Sequence, residues 1–201
     1  HWPLHRGELI VIPRCNVPGL EADQRLMPGQ TDARDDLNRN FPTGGQDEAA
    51  RGPLARALWR FISTHEPDYV LDLHEGYGFR SAGSESTGSS IIRTREPGND
   101  ELQKLMLEAV NETEPEHAFA SLHGAAKGSL ARACSKHFGR AFICETTYKH
   151  QPLALRTRQH RVMAYALLDS LGMVACSRNH MVSRTGSATG CAPGIVHAAV
   201  Y

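Results

Sequence analysis

Three short apolar runs, each stopped by proline or by polar residues, constrain the fold of this sequence more than any other feature. They are Leu9–Ile12 before Pro13, Tyr69–Leu73, and Ala141–Cys144. Runs of this length without polar alternation are typical of strands that are buried on both faces of a parallel or mixed sheet. The sequence therefore predicts three buried strands, each leading into a polar segment.

Helical patterns follow these runs, with apolar residues three or four positions apart. The first stripe is Leu54, Leu58, Phe61 and Ile62; the second is Leu102, Leu105, Met106, Ala109 and Val110, behind a predicted Asn99 cap; the third is Val162, Ala166, Leu167 and Leu171, ending before Gly172. Helices that alternate with buried strands predict an α/β fold, in which a mixed and mostly parallel sheet is sandwiched by helices.

The charge balance and composition argue against several function classes. The 201 residues carry 22 Lys+Arg against 22 Asp+Glu, and only 6% are aromatic, so neither a nucleic acid nor a membrane surface is an expected partner. No apolar run approaches the roughly 20 residues that span a bilayer. The function is expected to lie in a pocket.

The five cysteines are odd in number and contain no Cys-x-x-Cys pair. This spacing favours buried free thiols, and it leaves two disulfides, Cys134–Cys144 or Cys176–Cys191, as alternatives.

Two long polar segments, 16–47 and 75–98, each follow a predicted strand, where α/β proteins carry their chemistry. The later sequence loses all periodicity from about Cys176. We therefore divide the chain into a domain over residues 1–173 and an irregular tail over residues 174–201. The sequence leaves the compartment and the oligomeric state open.

The segment Asp36–Pro42 combines a carboxylate, two amides and a guanidinium. Asn38 and Arg39 could grip a substrate carboxylate, because arginine presents two parallel donors. The alternative is an Asx-rich turn whose surface arginine pairs with Asp35 or Asp36.

Two further polar side chains come at the ends of predicted strands. His74 follows the second apolar run, which is a common setting for a metal ligand, although a satisfied strand-end histidine fits equally well. Glu145 follows the third run, where partial burial would raise its pKa toward that of a general base; a capping or ion-paired carboxylate is the alternative.

The motifs of serine hydrolases, phosphate-binding loops, dinucleotide-binding loops and His-Glu-x-x-His metalloproteases are all missing, so a hydrolase here would depend on a metal.

The segments Asp36–Pro42, Asp72–Gly76 and Cys144–Thr146, in this order, resemble the zinc carboxypeptidase clan and most closely its succinylglutamate desuccinylase/aspartoacylase branch. The likeness runs from about residue 7 to 172. It implies a zinc-dependent hydrolase that cleaves an amide bond in a small molecule or peptide with a free carboxylate.

The resemblance also implies a role for each matching residue. Asn38 and Arg39 would bind the substrate carboxylate, His74 would be a zinc ligand and Glu145 the general base. Arg25 would polarise the scissile carbonyl.

Three other residues have weaker assignments. Arg34 is the rival of Arg25, and Glu75 and Tyr77 flank the ligand position and could shape the pocket.

The sequence departs from the family at its start, where a His-x-x-Glu pair normally supplies two more zinc ligands ahead of a helix. His5 and Glu8 have this spacing, but Glu8 runs directly into the first apolar run, so we interpret the match as a coincidence. We expect the true pair to lie upstream of His1 in a part of the fold that is missing here. A chain that offers only His74 should bind metal poorly. The alternative function is a non-catalytic relative that binds a carboxylate ligand without metal.

Overall fold

The middle layer of the protein is a four-stranded sheet with helices on both of its faces. The computed structural model describes residues 4–29, 35–44, 49–81, 83, 85–114, 116–148 and 151–174. Their elements are α1 (Val17–Glu21), a 3-10 turn (Leu37–Arg39), α2 (Pro53–His65), β1 (Tyr69–Gly76), β2 (Ser90–Arg93), α3 (Asn99–Asn111), β3 (Ala120–His123), α4 (Leu130–His137), β4 (Arg140–Thr147) and α5 (Leu153–Ser170). Arg34, Cys176, Cys191 and nearly all of the predicted tail lie outside the described residues.

The strands lie in the order β1-β4-β2-β3. β1 pairs with β4 in parallel, β2 pairs with β3 in parallel, and β2 runs antiparallel to β4. The predicted α/β fold with a mixed sheet is therefore confirmed.

The helices cover the sheet in two pairs. Apolar side chains of α2 and α4 form one core cluster, which includes Leu58, Ile62 and Ala131. Side chains of α3 and α5 form a second core cluster, around Met106 and Val162. β1 and β4 therefore have helices on both faces, which explains why their sequences are continuous apolar runs rather than alternating ones.

The first apolar run is not a strand, and this prediction was wrong. Leu9–Ile12 is only partly buried and forms no ladder with the sheet within the described part of the chain. The run, β1, α2 and α5 all line a cavity of about 1790 Å³. An apolar run becomes a strand only when a neighbouring strand satisfies its backbone groups, and no strand of the described residues pairs with this run.

The boundaries of several elements also differ from the sequence predictions. Asn99 is the first residue of α3 rather than its cap, because Gly98 takes the cap position and the Asn99 side chain instead donates to Thr94 Oγ1 at 2.9 Å. β1 and β4 extend past His74 and Glu145, which therefore lie inside the strands. The strands β2 and β3 and helix α4 were not predicted, because each is short.

Cys15, Cys134 and Cys144 are buried free thiols, in agreement with the interpretation favoured from the sequence. Burial raises the pKa of the Cys134 and Cys144 thiols well above the usual range. Within the described ranges, no helix has both the length and the apolar character to cross a membrane.

Candidate active site

His74 and Glu145 face each other across two adjacent parallel strands. They are register partners near the carboxyl ends of β1 and β4, and only 6% and 7% of their surfaces are exposed. Register partners on neighbouring strands point to the same face of a sheet. The two residues that the sequence singled out at separate strand ends therefore belong to one site.

The segment Asp36–Pro42 folds into a tight turn beside this site. The Asp36 carboxylate accepts a hydrogen bond from the Asn38 backbone N–H at 3.0 Å and so caps the 3-10 turn. The Phe41 N–H donates to the Gly128 carbonyl at 3.0 Å. These bonds attach the turn to the segment that leads into α4.

The Asn38 side chain is used within the protein. Its Oδ1 accepts a hydrogen bond from the Leu130 N–H at 2.7 Å, and its Nδ2 donates to Asp72 Oδ2 at 3.2 Å. The same Nδ2 lies 3.1 Å from His74 Nε2. The structure thus brings Asn38 to His74, and binding of a substrate carboxylate by Asn38 stays a prediction.

Asp72 fixes the orientation of the His74 ring. Its carboxylate is fully buried, and Oδ1 lies 3.0 Å from His74 Nε2. Asn38 Nδ2 lies 3.1 Å from the same nitrogen, so Nε2 donates to the carboxylate in one tautomer of the ring and accepts from the amide in the other.

The pKa values of the two central groups are shifted upward. Burial lowers the pKa of His74, but the Asp72 carboxylate beside it outweighs burial and leaves the pKa raised. Burial raises the pKa of Glu145, although the nearby His74 charge opposes this shift. Thr87 Oγ1 donates to Glu145 Oε1 at 3.4 Å. A carboxyl group with a raised pKa has the property that a general base requires.

Two arginines lie at the entrance and share the Asp36 carboxylate. Arg25 donates through Nε and Nη2 to Asp36 Oδ2 at 3.3 and 3.1 Å, while 55% of its side-chain surface stays exposed. Arg39 Nη1 lies 3.9 Å from the same oxygen, and its side chain is 44% exposed. The pairing of Arg39 with Asp36, the alternative considered from the sequence, is therefore present but loose. Both guanidinium groups are accessible to an anionic ligand.

Glu75 and Tyr77, the residues next to His74 that were considered from the sequence, each have a partner of their own. Glu75 forms an ion pair with Arg156 of α5. Tyr77 meets Tyr148 edge to face, with ring centroids 5.5 Å apart, and both rings are largely exposed. These contacts place an aromatic pair where β1 and β4 end.

Sequence reasoning missed Asp72, Thr87 and His160 as parts of the site. His160 of α5 is buried, and its Nε2 lies 3.0 Å from the His74 carbonyl and 3.1 Å from the Cys144 carbonyl. Burial lowers the pKa of His160 to about 4. Asp72 carried a signal, since it is a charged residue within an apolar run; the other two carried none.

The described residues do not form a complete zinc site. A catalytic zinc ion takes three protein ligands, and the described part of the chain contains no cluster of three His, Cys, Asp or Glu residues that could hold a metal.

His5 and Glu8 do not complete the ligand set. The His5 N–H donates to the Met173 carbonyl, just after the carboxyl end of α5. His160, which contacts His74, lies 13 residues before Met173 in the sequence, and most of that interval is helix rising about 1.5 Å per residue. Among the described residues, His5 and Glu8 join no group that could hold a metal, and the interpretation of their spacing as a coincidence stays a prediction.

The fold and site together define the chain as an α/β-sandwich domain with a polar site near the carboxyl ends of the parallel strands β1 and β4. Residues 5–172 match the succinylglutamate desuccinylase/aspartoacylase catalytic domain, and the chain belongs to this family. Among curated proteins, no sequence matches this chain.

Solved structures share the fold at low sequence identity. The Gln46His variant of the cell shape determinant Csd4 from Helicobacter pylori is 20% identical with a TM-score of 0.63, over 79% of this chain and 42% of Csd4. A metallopeptidase candidate from Shewanella denitrificans OS217 is 14% identical with a TM-score of 0.56, over 78% of this chain and 58% of the other. The chain thus spans about two fifths of the length of Csd4.

Proposed function

We propose that this chain carries the base and the substrate-binding half of a zinc-dependent hydrolase that cleaves an amide bond next to a free carboxylate. The observation that carries this proposal is the pairing of buried Glu145 with His74 on adjacent strands, beside a loop that presents Arg39. The family assignment supports the same reaction class.

Glu145 is the proton acceptor in this proposal. Its carboxylate is almost fully buried and has a raised pKa, so it can take a proton from an attacking water and return it to the leaving nitrogen. Thr87 holds one of its oxygens. The Glu145 side chain lies on the same face of the sheet as the His74 side chain, because the two residues are register partners.

Arg39 is the anchor for the substrate carboxylate, and Asn38 and Arg25 support it. Arg39 donates to the Asn38 backbone carbonyl at 2.7 Å, which fixes part of its side chain while the guanidinium remains accessible. Arg25, across Asp36, is placed to stabilise negative charge on a scissile carbonyl. Asn38 joins this loop to the His74 ring.

His74 is one ligand of the implied zinc ion, and the remaining ligands would come from polypeptide outside the described residues. A bound zinc ion supplies Lewis-acid polarisation and makes water more acidic. Csd4 is described as a D,L-carboxypeptidase and has been solved with a tripeptide and with mDAP. An N-acylated amino acid or a peptide carboxyl terminus is the corresponding substrate class here.

The test begins with zinc titrations of the 201-residue chain and of two histidine variants. His74→Ala should weaken zinc binding by at least about tenfold, the loss that even an outer-shell partner of a metal causes. The matched control is His65→Ala, since His65 is exposed at the end of α2. Equal zinc affinities of the two variants, in a form of the protein that binds one zinc ion per chain, would remove His74 from the metal site.

A second experiment separates the hydrolase from the non-catalytic alternative. Hydrolysis of N-acyl amino acids and dipeptides is measured in excess zinc, with Glu145→Gln as the matched variant. Turnover that Glu145→Gln abolishes supports the proposal. Calorimetric binding of the same ligands without zinc and without turnover, lost in Arg39→Ala, would instead identify a carboxylate-binding module.

A further inference from the structure

His160 lies on α5, outside the segments that carry the proposed chemistry. It nevertheless contacts both β1 and β4, the strands on which His74 and Glu145 lie. Its imidazole is buried, and its Nε2 is within hydrogen-bond distance of two backbone carbonyls at once, those of His74 and Cys144. Carbonyl oxygens only accept, so Nε2 must carry a proton and is shared between them.

Both carbonyls belong to the backbone at the central residues of the candidate site. One is the carbonyl of His74, and the other is that of Cys144, the residue immediately before Glu145. β1 and β4 are parallel neighbours, so one side chain donating to both also holds their carboxyl ends together. The ladder between the strands fixes their register, whereas a donor from the helix layer also fixes their position relative to α5.

We propose that His160 is a positioning residue that sets the separation and orientation of His74 and Glu145 by clamping the ends of β1 and β4. The clamp is a structural contact and exists whatever the protein does. Its effect on catalysis rests on the proposed function. His160 touches no substrate in this proposal and is not a catalytic residue.

Three variants of the full 201-residue chain test the clamp. His160→Leu fills the space but removes the donor. His160→Gln keeps an N–H donor at a similar distance from the helix. Leu168→Ala removes a buried side chain from the same helix in a different core cluster, and so controls for a general loosening of α5.

The first readout is the backbone amide 15N chemical shifts of Glu75 and Glu145, because each amide follows one of the clamped carbonyls. We expect both to shift together in His160→Leu, to shift less in His160→Gln, and to keep their wild-type positions in Leu168→Ala. Wild-type shifts at both amides in a folded His160→Leu protein would overturn the clamp. If His160→Leu does not fold, His160→Gln decides: shifts at the Glu75 and Glu145 amides that Leu168→Ala does not show support the clamp, whereas wild-type positions at both amides contradict it.

The second readout is kinetic and applies to the preparation in which hydrolysis is measured. His160→Leu should lower kcat by roughly 10- to 100-fold. This is the usual loss of activity when a residue that orients an active-site group without touching the substrate is replaced. KM should stay near the wild-type value, because Arg39 lies on a separate loop. An unchanged kcat would refute the positioning role. If the wild type shows no hydrolysis when one zinc ion per chain is bound, the proposed function fails while the 15N result still decides whether the clamp exists.

Discussion

Asp72 and His74 lie two residues apart on β1, and their side chains meet with Asp72 Oδ1 3.0 Å from His74 Nε2. Alternate residues of a strand share a face, so this contact is built into the local sequence. The carboxylate is fully buried and has Asn38 as its other side-chain partner. Asp72 therefore orients the ring that the proposed function requires.

Removing Asp72 should destabilise the protein strongly. Asp72→Ala leaves the Asn38 amide and the His74 ring without their buried acceptor, and breaking a buried charged pair costs about 3–5 kcal/mol. Urea unfolding of the variant measures this loss. Asp100→Ala is the control, because Asp100 forms an exposed pair with Arg93 and should change the free energy of unfolding by less than about 1 kcal/mol. Similar losses in the two variants would contradict the role of Asp72.

Glu145→Gln should make the protein more stable at pH 8 and leave its stability unchanged near pH 4. The folded-state pKa of Glu145 is raised by burial, so the folded protein disfavours the ionised carboxyl. This penalty is absent below the unfolded pKa of about 4.3 and grows as the pH rises through the folded pKa. Thermal unfolding across this pH range measures the difference, with Glu108→Gln on the exposed face of α3 as the control. A difference from wild type that does not depend on pH would argue against the raised pKa.

Arg39→Ala should act on substrate binding more than on turnover. If Arg39 holds the substrate carboxylate, its loss should raise KM for acids by roughly 10- to 150-fold, matching the about 1.5–3 kcal/mol of a hydrogen bond to a charged group. KM for the corresponding carboxamides should hardly change. Steady-state kinetics with both substrate types measures the effect. Arg56→Ala, on α2, is the surface control, and an equal rise for acids and carboxamides would exclude a specific contact.

Gly128→Ala should disturb the loop that carries Arg39. Gly128 has a φ of +80°, and a Cβ there would overlap the Arg39 carbonyl oxygen. Gly124 has a similar φ of +84°, with open space around it. Gly124→Ala therefore isolates the backbone strain, about 1–2 kcal/mol. Thermal unfolding should show a larger loss for Gly128→Ala, and equal losses would mean that the loop yields to the added methyl group.

The sequence indicated much of the fold because burial on both faces leaves a simple pattern. The apolar runs at β1 and β4 and the stripes of α2, α3 and α5 each reflect a local periodicity that packing requires. β2 and β3 have only four residues each, which is too short for such a pattern to stand out from a polar segment. Leu9–Ile12 had the pattern of a strand without becoming one, because no strand lies beside it among the described residues.

The sequence by itself determined which residue types stand at the strand ends: His74, Glu145, and the Asn38 and Arg39 pair in its loop. Only the tertiary structure decided that His74 and Glu145 are register partners, that Asn38 turns inward to Asp72, and that His160 reaches across from α5 to both strands. The reason is physical. Local sequence fixes the conformation of each segment, while contacts between residues 34 to 92 positions apart depend on how the sheet pairs and how the helices pack against it.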